Sequence, residues 1–228
     1  RCYNATILLP YIGYWQLINT VDEFIVYDDI EYTKKGWINR NRILANGTAQ
    51  YITLPLKKDS DYLNIIDRQL AETWKKDKAK TLNKLRNAYL KAPHFESTYN
   101  LIEKIITYEE DNLFHFLLNA VSLISKQLSI NTPIIISSDL NYDTSLKSQD
   151  KVLDICQKVN ANIYINAIGG KSLGLYNSEE FQSKNVELQF LKGEISEYQQ
   201  FDNSFIGGLS IVDLMMFNEL DWIKNELN

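Results

Sequence analysis

Residues 4–29 decide the fold: Asn4-Ala5-Thr6-Ile7-Leu8-Leu9-Pro10-Tyr11-Ile12-Gly13-Tyr14-Trp15-Gln16-Leu17-Ile18-Asn19-Thr20-Val21-Asp22-Glu23-Phe24-Ile25-Val26-Tyr27-Asp28-Asp29. Positions 4–9 form a short apolar run that stops at Pro10, positions 15–20 are helix-like, and positions 23–27 form a second apolar run closed by two aspartates. Two short apolar runs with a helical segment between them read as strand, helix, strand, the opening of a parallel sheet. Outward from it, residues 38–44 and 50–54 flank Asn46-Gly47, a dipeptide that tolerates the positive φ of a tight hairpin turn. In residues 73–129, Trp74, Leu82, Leu85, Tyr89 and Leu90 recur at helical spacing until Ala92-Pro93, and 96–107 and 112–128 repeat the pattern, which predicts three helices in series.

After Pro133 the register changes. Ile134-Ile135-Ile136 is a short strand opening onto Ser137-Ser138-Asp139, and 150–159 is an amphipathic helix. Residues 162–166 read as a buried strand ending in Ala167-Ile168-Gly169-Gly170, followed by a helix at 178–183, a strand at 186–191 and a helical end at 210–227. The expected fold is α/β: a Rossmann-like, mainly parallel sheet with a β-hairpin and a three-helix insert at about 73–129, in a single domain spanning 1–228.

Composition narrows the function classes. At 228 residues, 45% hydrophobic and 23% charged, the chain is long enough for one substantial core. A net charge of -5 and a pI near 5.2, with the signs interspersed, exclude the broad basic surface of non-specific nucleic-acid binding. Cys2 and Cys156 are too few and too far apart for a disulfide scaffold or a metal knuckle, and fit free thiols in a reducing cytoplasm. No uncharged apolar run reaches the ~18 residues of a membrane span, and the start lacks a signal-peptide layout. A cytoplasmic protein without a membrane span is expected.

Against the acidic background, Lys34-Lys35-Gly36-Trp37-Ile38-Asn39-Arg40-Asn41-Arg42 places four cations, two amides and an indole in nine positions. Alternation along a strand would put Arg40 and Arg42 on one face, where two guanidinium groups repel unless an anion or a carboxylate lies between them. A ligand phosphate is one partner and a salt bridge to Asp28 or Asp29 the other. Lys35 would join the phosphate site. Trp37 either stacks on a base or sugar or fills core, and Asn39 and Asn41 face the other way, as ligand contacts or turn caps.

In open parallel sheets ligands gather beyond the carboxyl ends of the strands. Candidates there are Asp28-Asp29, Ser137-Ser138, and Asn166 with Gly169 and Gly170, whose lack of side chains suits a close backbone approach. The Pro10-to-Tyr14 turn offers backbone donors at a helix N-terminus, with Tyr14 beside them. Asp28-Asp29 suit Mg²⁺ beside a diphosphate, or a base; neighbouring strand residues face opposite ways, so Asp29 alone is expected in the site. His94, at the Ala-Pro helix break, is a second candidate base, whereas His115 among Phe114, Phe116 and Leu118 is structural. Cys156 falls on an apolar helix face with Val152 and Leu153, and Ser210 with Asp213 makes a capping-box-like start.

Read together in order, several segments resemble the WbqC-like protein family: Pro10-Tyr11-Ile12-Gly13-Tyr14 with Gln16-Leu17-Ile18; Val26-Tyr27-Asp28-Asp29-Ile30; Lys35 to Ile43; Leu146-Lys147-Ser148-Gln149-Asp150; Tyr164 to Gly170; and Leu209-Ser210-Ile211-Val212-Asp213 with Phe217-Asn218. The resemblance covers nearly the whole chain. It departs at Ile7-Leu8-Leu9-Pro10, where the family has a longer Gln-Pro-containing segment. It implies work on sugars in bacterial O-antigen and lipopolysaccharide synthesis, with a nucleotide-activated amino sugar, or another anionic small molecule, as partner and a transferase as the activity. On that basis an acyl or aminoacyl group would pass to the sugar amine, with Lys35, Arg40 and Arg42 on the diphosphate and Asp29 or His94 taking the proton. The alternatives are a non-catalytic sugar-nucleotide binder, marked by an exposed apolar patch on the insert, and a nucleotidyltransferase, a fold-level analogy in which Gly13-Tyr14 stands in place of a Gly-His pair.

Overall fold

The computed structural model describes residues 1–172 and 174–228. Strand β1 (Cys2–Ala5) leads through helix α1 (Ile12–Thr20) to β2 (Phe24–Tyr27), which pairs parallel with β1 on one edge and with β5 (Ile134–Ile136) on the other. Further along, β6 (Ile163–Ala167) and β7 (Glu187–Leu191) pair parallel. The two pieces meet at Arg1, whose amino group donates to the Ile163 carbonyl at 2.9 Å and whose carbonyl accepts from the Ile165 N–H at 2.8 Å. That is the bonding of a parallel pair, so the strands run in the order β7-β6-β1-β2-β5. The chain builds outward from β1 to β5, then returns to the other side of β1. The reversal puts the switch in strand order at the carboxyl ends of β1 and β6, the position at which this architecture takes its ligands.

Period-two alternation assigns the sheet's two faces. Cys2, Phe24 and Val26 enter the main core with α1, the insert and the C-terminal helices, while Tyr3 and Ile25 enter a smaller core with α5 (Ser148–Lys158) and α7 (Ser178–Ser183). Trp15, Phe24, Phe114 and Phe116 are fully buried in the larger one, each such aromatic contributing on the order of 1.5–3 kcal/mol.

The hairpin forms as expected. β3 (Arg40–Ala45) and β4 (Thr48–Thr53) pair antiparallel, closed by Ala45 opposite Thr48, with Asn46 and Gly47 at φ 52° and 71°. The insert also forms, as α2 (Trp74–Tyr89), α3 (Phe95–Ile106) and α4 (Leu113–Gln127). The Tyr89 hydroxyl ties α2 to the hairpin by accepting from the Leu44 N–H at 2.8 Å.

Two expectations are corrected. The first strand is Cys2–Ala5, not residues 4–9, because the chain turns sharply at Leu9, which is buried with φ 45°. Its carbonyl accepts from Asn41 Nδ2 at 2.9 Å and Ser210 Oγ at 2.7 Å, so neighbouring elements hold a conformation costly for leucine. The helical end is two helices, α8 (Ile211–Phe217) and α9 (Leu220–Asn225), with Asn218 in an extended conformation between them. A short helix α6 (Ile168–Ser172) follows β6.

Candidate functional site

The loop after β1, anchored at Leu9, and the face of β3 beside it enclose a hollow of about 270 Å³ lined by Ile7, Pro10, Tyr11, Trp37, Asn41, Arg42 and Gly208. Asn41 builds its floor: Nδ2 donates to the Leu8 and Leu9 carbonyls at 3.0 and 2.9 Å, and the side-chain oxygen accepts from the Arg42 N–H at 2.8 Å. Arg42 Nη2 donates to the Gly208 carbonyl at 3.1 Å, and its guanidinium carbon lies 5.4 Å from the Trp37 ring centre. Arg42 Nε is buried and, among the described residues, has no hydrogen-bond partner. Trp37 is 45% exposed with its ring centre 6.1 Å from that of Tyr51, itself 46% exposed, so it presents a free face instead of filling core. Tyr11 is 39% exposed, and partial burial pushes its phenol above the ordinary value.

Alternation along β3 does put Arg40 and Arg42 on one face, with Asn39 and Asn41 buried behind. The two guanidinium groups nevertheless part company. Arg40 Nε donates to the Gly36 carbonyl at 2.9 Å, Nη2 donates to the Lys35 carbonyl, and the group covers the Tyr51 ring at 4.7 Å. Arg40 thereby folds the basic turn, and Arg42 alone lines the hollow. Among the described residues neither pairs with an acid, so Asp28 and Asp29 are not their partners. Lys35 is exposed in that turn at φ 60°. Asn39 is committed to structure, accepting from the Tyr32 hydroxyl and donating to the Leu54 carbonyl, both at 2.8 Å. Tyr14 is buried, its hydroxyl donating to the Ala5 carbonyl at 3.1 Å, and it does not line the hollow.

A second cluster sits at the carboxyl ends of β2 and β5. Both aspartates enter it, against the expectation for a strand, because β2 ends at Tyr27 and the alternation ends with it. Ser137 Oγ lies 2.8 Å from Oδ1 of both Asp28 and Asp29, and Asp28 Oδ2 accepts from Ser138 Oγ at 2.6 Å. Asp29 Oδ2 accepts from the Tyr142 hydroxyl and, at 2.9 Å, from Lys151 Nζ. Lys151 is only 8% exposed, and its ammonium lies 5.1 Å from the ring centres of both Tyr27 and Tyr142. With the carboxylates so occupied, a Mg²⁺ ion would have to displace the ammonium. Among the described residues no group of three or more His, Cys, Asp or Glu side chains could hold a metal ion.

The remaining candidates lie apart. Asn166 Nδ2 donates to the Tyr164 and Tyr176 hydroxyls at 2.9 and 2.8 Å. Gly169 and Gly170 belong to α6 and do not have positive φ, and a Cβ at Gly169 meets nothing within 4 Å. His94 lines a crevice of only about 30 Å³ with Ser97, Thr98 and Met215, away from both clusters. Burial pushes the Cys156 thiol up to about 11, which leaves it inert at neutral pH.

Three features escaped the sequence reading. Lys151 falls at helical spacing from buried Ile155, a cation on an apolar helix face that signals a buried partner. Gly208 has φ 67° beside Arg42, and the Gly207-Gly208 pair was its trace. Ser210 does cap α8, accepting from the Val212 N–H at 3.2 Å, but Asp213 serves elsewhere. Asp213 is fully buried and accepts from the hydroxyls of Tyr89 and Tyr198 at 2.7 and 2.6 Å and from Gln200 Nε2 at 2.7 Å. Burial raises its pKa against the pull of those donors.

No solved structure matches the chain. Among curated proteins it is 29% identical over 212 residues to "Uncharacterized protein Rv1507c" of Mycobacterium tuberculosis (strain ATCC 25618 / H37Rv), covering 91% of this chain and 88% of the relative. No described helix is long and apolar enough to cross a membrane. The WbqC-like protein family matches residues 6–225, a span holding the hollow, the aspartate cluster and the helical insert alike. The chain therefore belongs to the WbqC-like protein family, which is associated with polysaccharide biosynthesis.

Proposed function

We propose that the protein binds a nucleotide-activated amino sugar in the hollow beside Arg42 and Trp37 and transfers an acyl or aminoacyl group to the sugar's amine. The observation that carries this reading is the unpartnered, buried Nε of Arg42 at a hollow walled by an exposed indole. A phosphate oxygen would complete that guanidinium, and a base or sugar ring would lie on Trp37. Leu9 and Asn41 hold the walls before the ligand arrives, so the protein contributes chiefly by positioning. As candidate base, Asp29 lies at the end of the adjacent strand under Lys151, and His94 lies on the insert. Any Mg²⁺ would arrive on the diphosphate.

The test is a titration of UDP-, dTDP- and GDP-linked sugars into wild type and Arg42→Ala, read by Trp37 fluorescence and calorimetry. Loss of one charged hydrogen bond predicts a roughly 10- to 100-fold weaker complex. Equal affinity across the panel removes the phosphate seat. A second reading, a sugar-nucleotide binder without turnover, draws on the distance of His94 from the hollow and the saturation of Asp29, and predicts binding with no transferred group. The apolar docking patch it expected on the insert has little to build on: the large exposed apolar side chains there, among the described residues, are Leu90 and Tyr108, near the ends of different helices.

A further inference from the structure

We infer that the transferred group is a short apolar acyl chain, seated in an uncharged slot that adjoins the hollow at Tyr11 and Gly208; this rests on the nucleotide-sugar reading of the hollow. The slot holds about 150 Å³, and Tyr11 and Gly208 line both spaces. The two spaces therefore adjoin, and a group on the sugar's amine would reach the slot past those two residues while the diphosphate stays on Arg42.

The slot's chemistry selects the group. Ile12, Ile195, Tyr198, Phe205, Leu209 and Leu214 form its walls, and no lining side chain is charged at neutral pH. Tyr198 contributes only its ring, packed edge-on to Phe205 at 5.0 Å, because its hydroxyl is turned onto Asp213. An aminoacyl group would bring an ammonium into this space. The nearest carboxylate in the network, Asp213, is fully buried behind Tyr198, and both its oxygens are already taken by Tyr89, Tyr198 and Gln200. An ammonium there would have no lining carboxylate to pair with, whereas each buried methylene gains about 0.8 kcal/mol. An apolar cavity of about 150 Å³ is large enough for a six-carbon ring, which sets the upper size of the chain.

Two lining glycines sit where a side chain would crowd its neighbours. Gly208, at φ 67°, holds Arg42 Nη2 on its carbonyl, and a Cβ there would stand 3.3 Å from that nitrogen. On the opposite wall, a Cβ at Gly193 would meet the Gly13 Cα at 2.6 Å. In the transfer itself, with an acyl thioester as donor, the sugar nitrogen forms a bond to the acyl carbon. The carbon–sulfur bond breaks with its electron pair on sulfur, and the amine proton passes to the departing thiolate.

Calorimetry on sugars carrying a free amine, an N-glycyl or an N-butanoyl group tests this, using the nucleotide that binds best in the panel above. Wild type is expected to bind the butanoyl compound about 10-fold more tightly than the other two. Ile195→Phe, which narrows the slot, should erase that preference, with thermal unfolding as the check that the variant folds. Phe205→Ala, which widens the slot, should move the preference to hexanoyl. Arg42→Ala should weaken all three compounds alike, which reports on the hollow and not the slot. Equal or tighter binding of the glycyl compound, or a butanoyl preference that survives Ile195→Phe, overturns the acyl assignment while leaving the hollow intact. If no compound binds wild type, the nucleotide-sugar reading falls and this inference with it.

Discussion

The carboxyl edge of the parallel sheet carries two polar clusters on neighbouring strands, and they are built oppositely. After β2, two aspartates, two serines, a tyrosine and a lysine satisfy one another. After β1, a leucine is held at positive φ, two aromatic rings are partly exposed, and a guanidinium nitrogen is buried beside a hollow without a partner among the described residues. A closed network of this kind fixes the fold locally. An incomplete one, backed by strain that other elements maintain, is where we propose that a ligand completes the structure. Position at the sheet's edge is shared, so saturation distinguishes the scaffold from the site.

Substitutions can break this contrast, the largest effect coming from the closed cluster. Lys151→Ala leaves Asp29 part-buried without its cation and should lower stability by about 3–5 kcal/mol in urea unfolding; a loss below about 1 kcal/mol would mean that the network is loose. Asn41→Ala strips the Leu8 carbonyl of its donor, leaves the Leu9 carbonyl to Ser210 alone, and should lower stability by about 1–3 kcal/mol, with ligand affinity falling as Leu9 relaxes. Stability without loss of affinity would uncouple that residue from the hollow.

Gly208→Ala, strained at φ 67°, should lose about 1 kcal/mol, while Gly169→Ala, helical with open space around its Cα, should gain up to about 1 kcal/mol. Equal thermal shifts for the two would contradict the distinction between them. The subtlest effect concerns Asp213. Its folded-state pKa is raised, so the folded state binds the proton more tightly than the unfolded chain does. The stability this contributes is full below the ordinary value of 3.8 and is lost as pH rises through the higher one. Unfolding of wild type relative to Asp213→Asn should show that decline, and a flat difference would place the carboxyl in a less buried setting.

Most of the sheet, the hairpin and the insert were legible because their signals are local: apolar runs, Asn46-Gly47 at the turn, and helical spacing up to Pro93. The β1 boundary was not, because Leu8 and Leu9 are as apolar as strand residues, and only the distant Asn41 and Ser210 turn the chain there. The basic segment showed that Arg40 and Arg42 share a face, but not that Arg40 would cap its own turn. Tyr14 and Asn39 appeared as site residues because a motif does not reveal which members are spent on backbone carbonyls. Lys151 and Asp213 pair across more than a hundred residues with Asp29 and Tyr89 respectively, a separation that no local pattern encodes.

The most direct measurement is a crystal structure of the protein soaked with the best-binding nucleotide-sugar. A diphosphate oxygen within about 3 Å of Arg42 Nε, with a ring of the ligand lying on Trp37, is the result this account predicts. A ligand bound instead among Asp28, Asp29 and Lys151, with the hollow beside Arg42 left open, would contradict it.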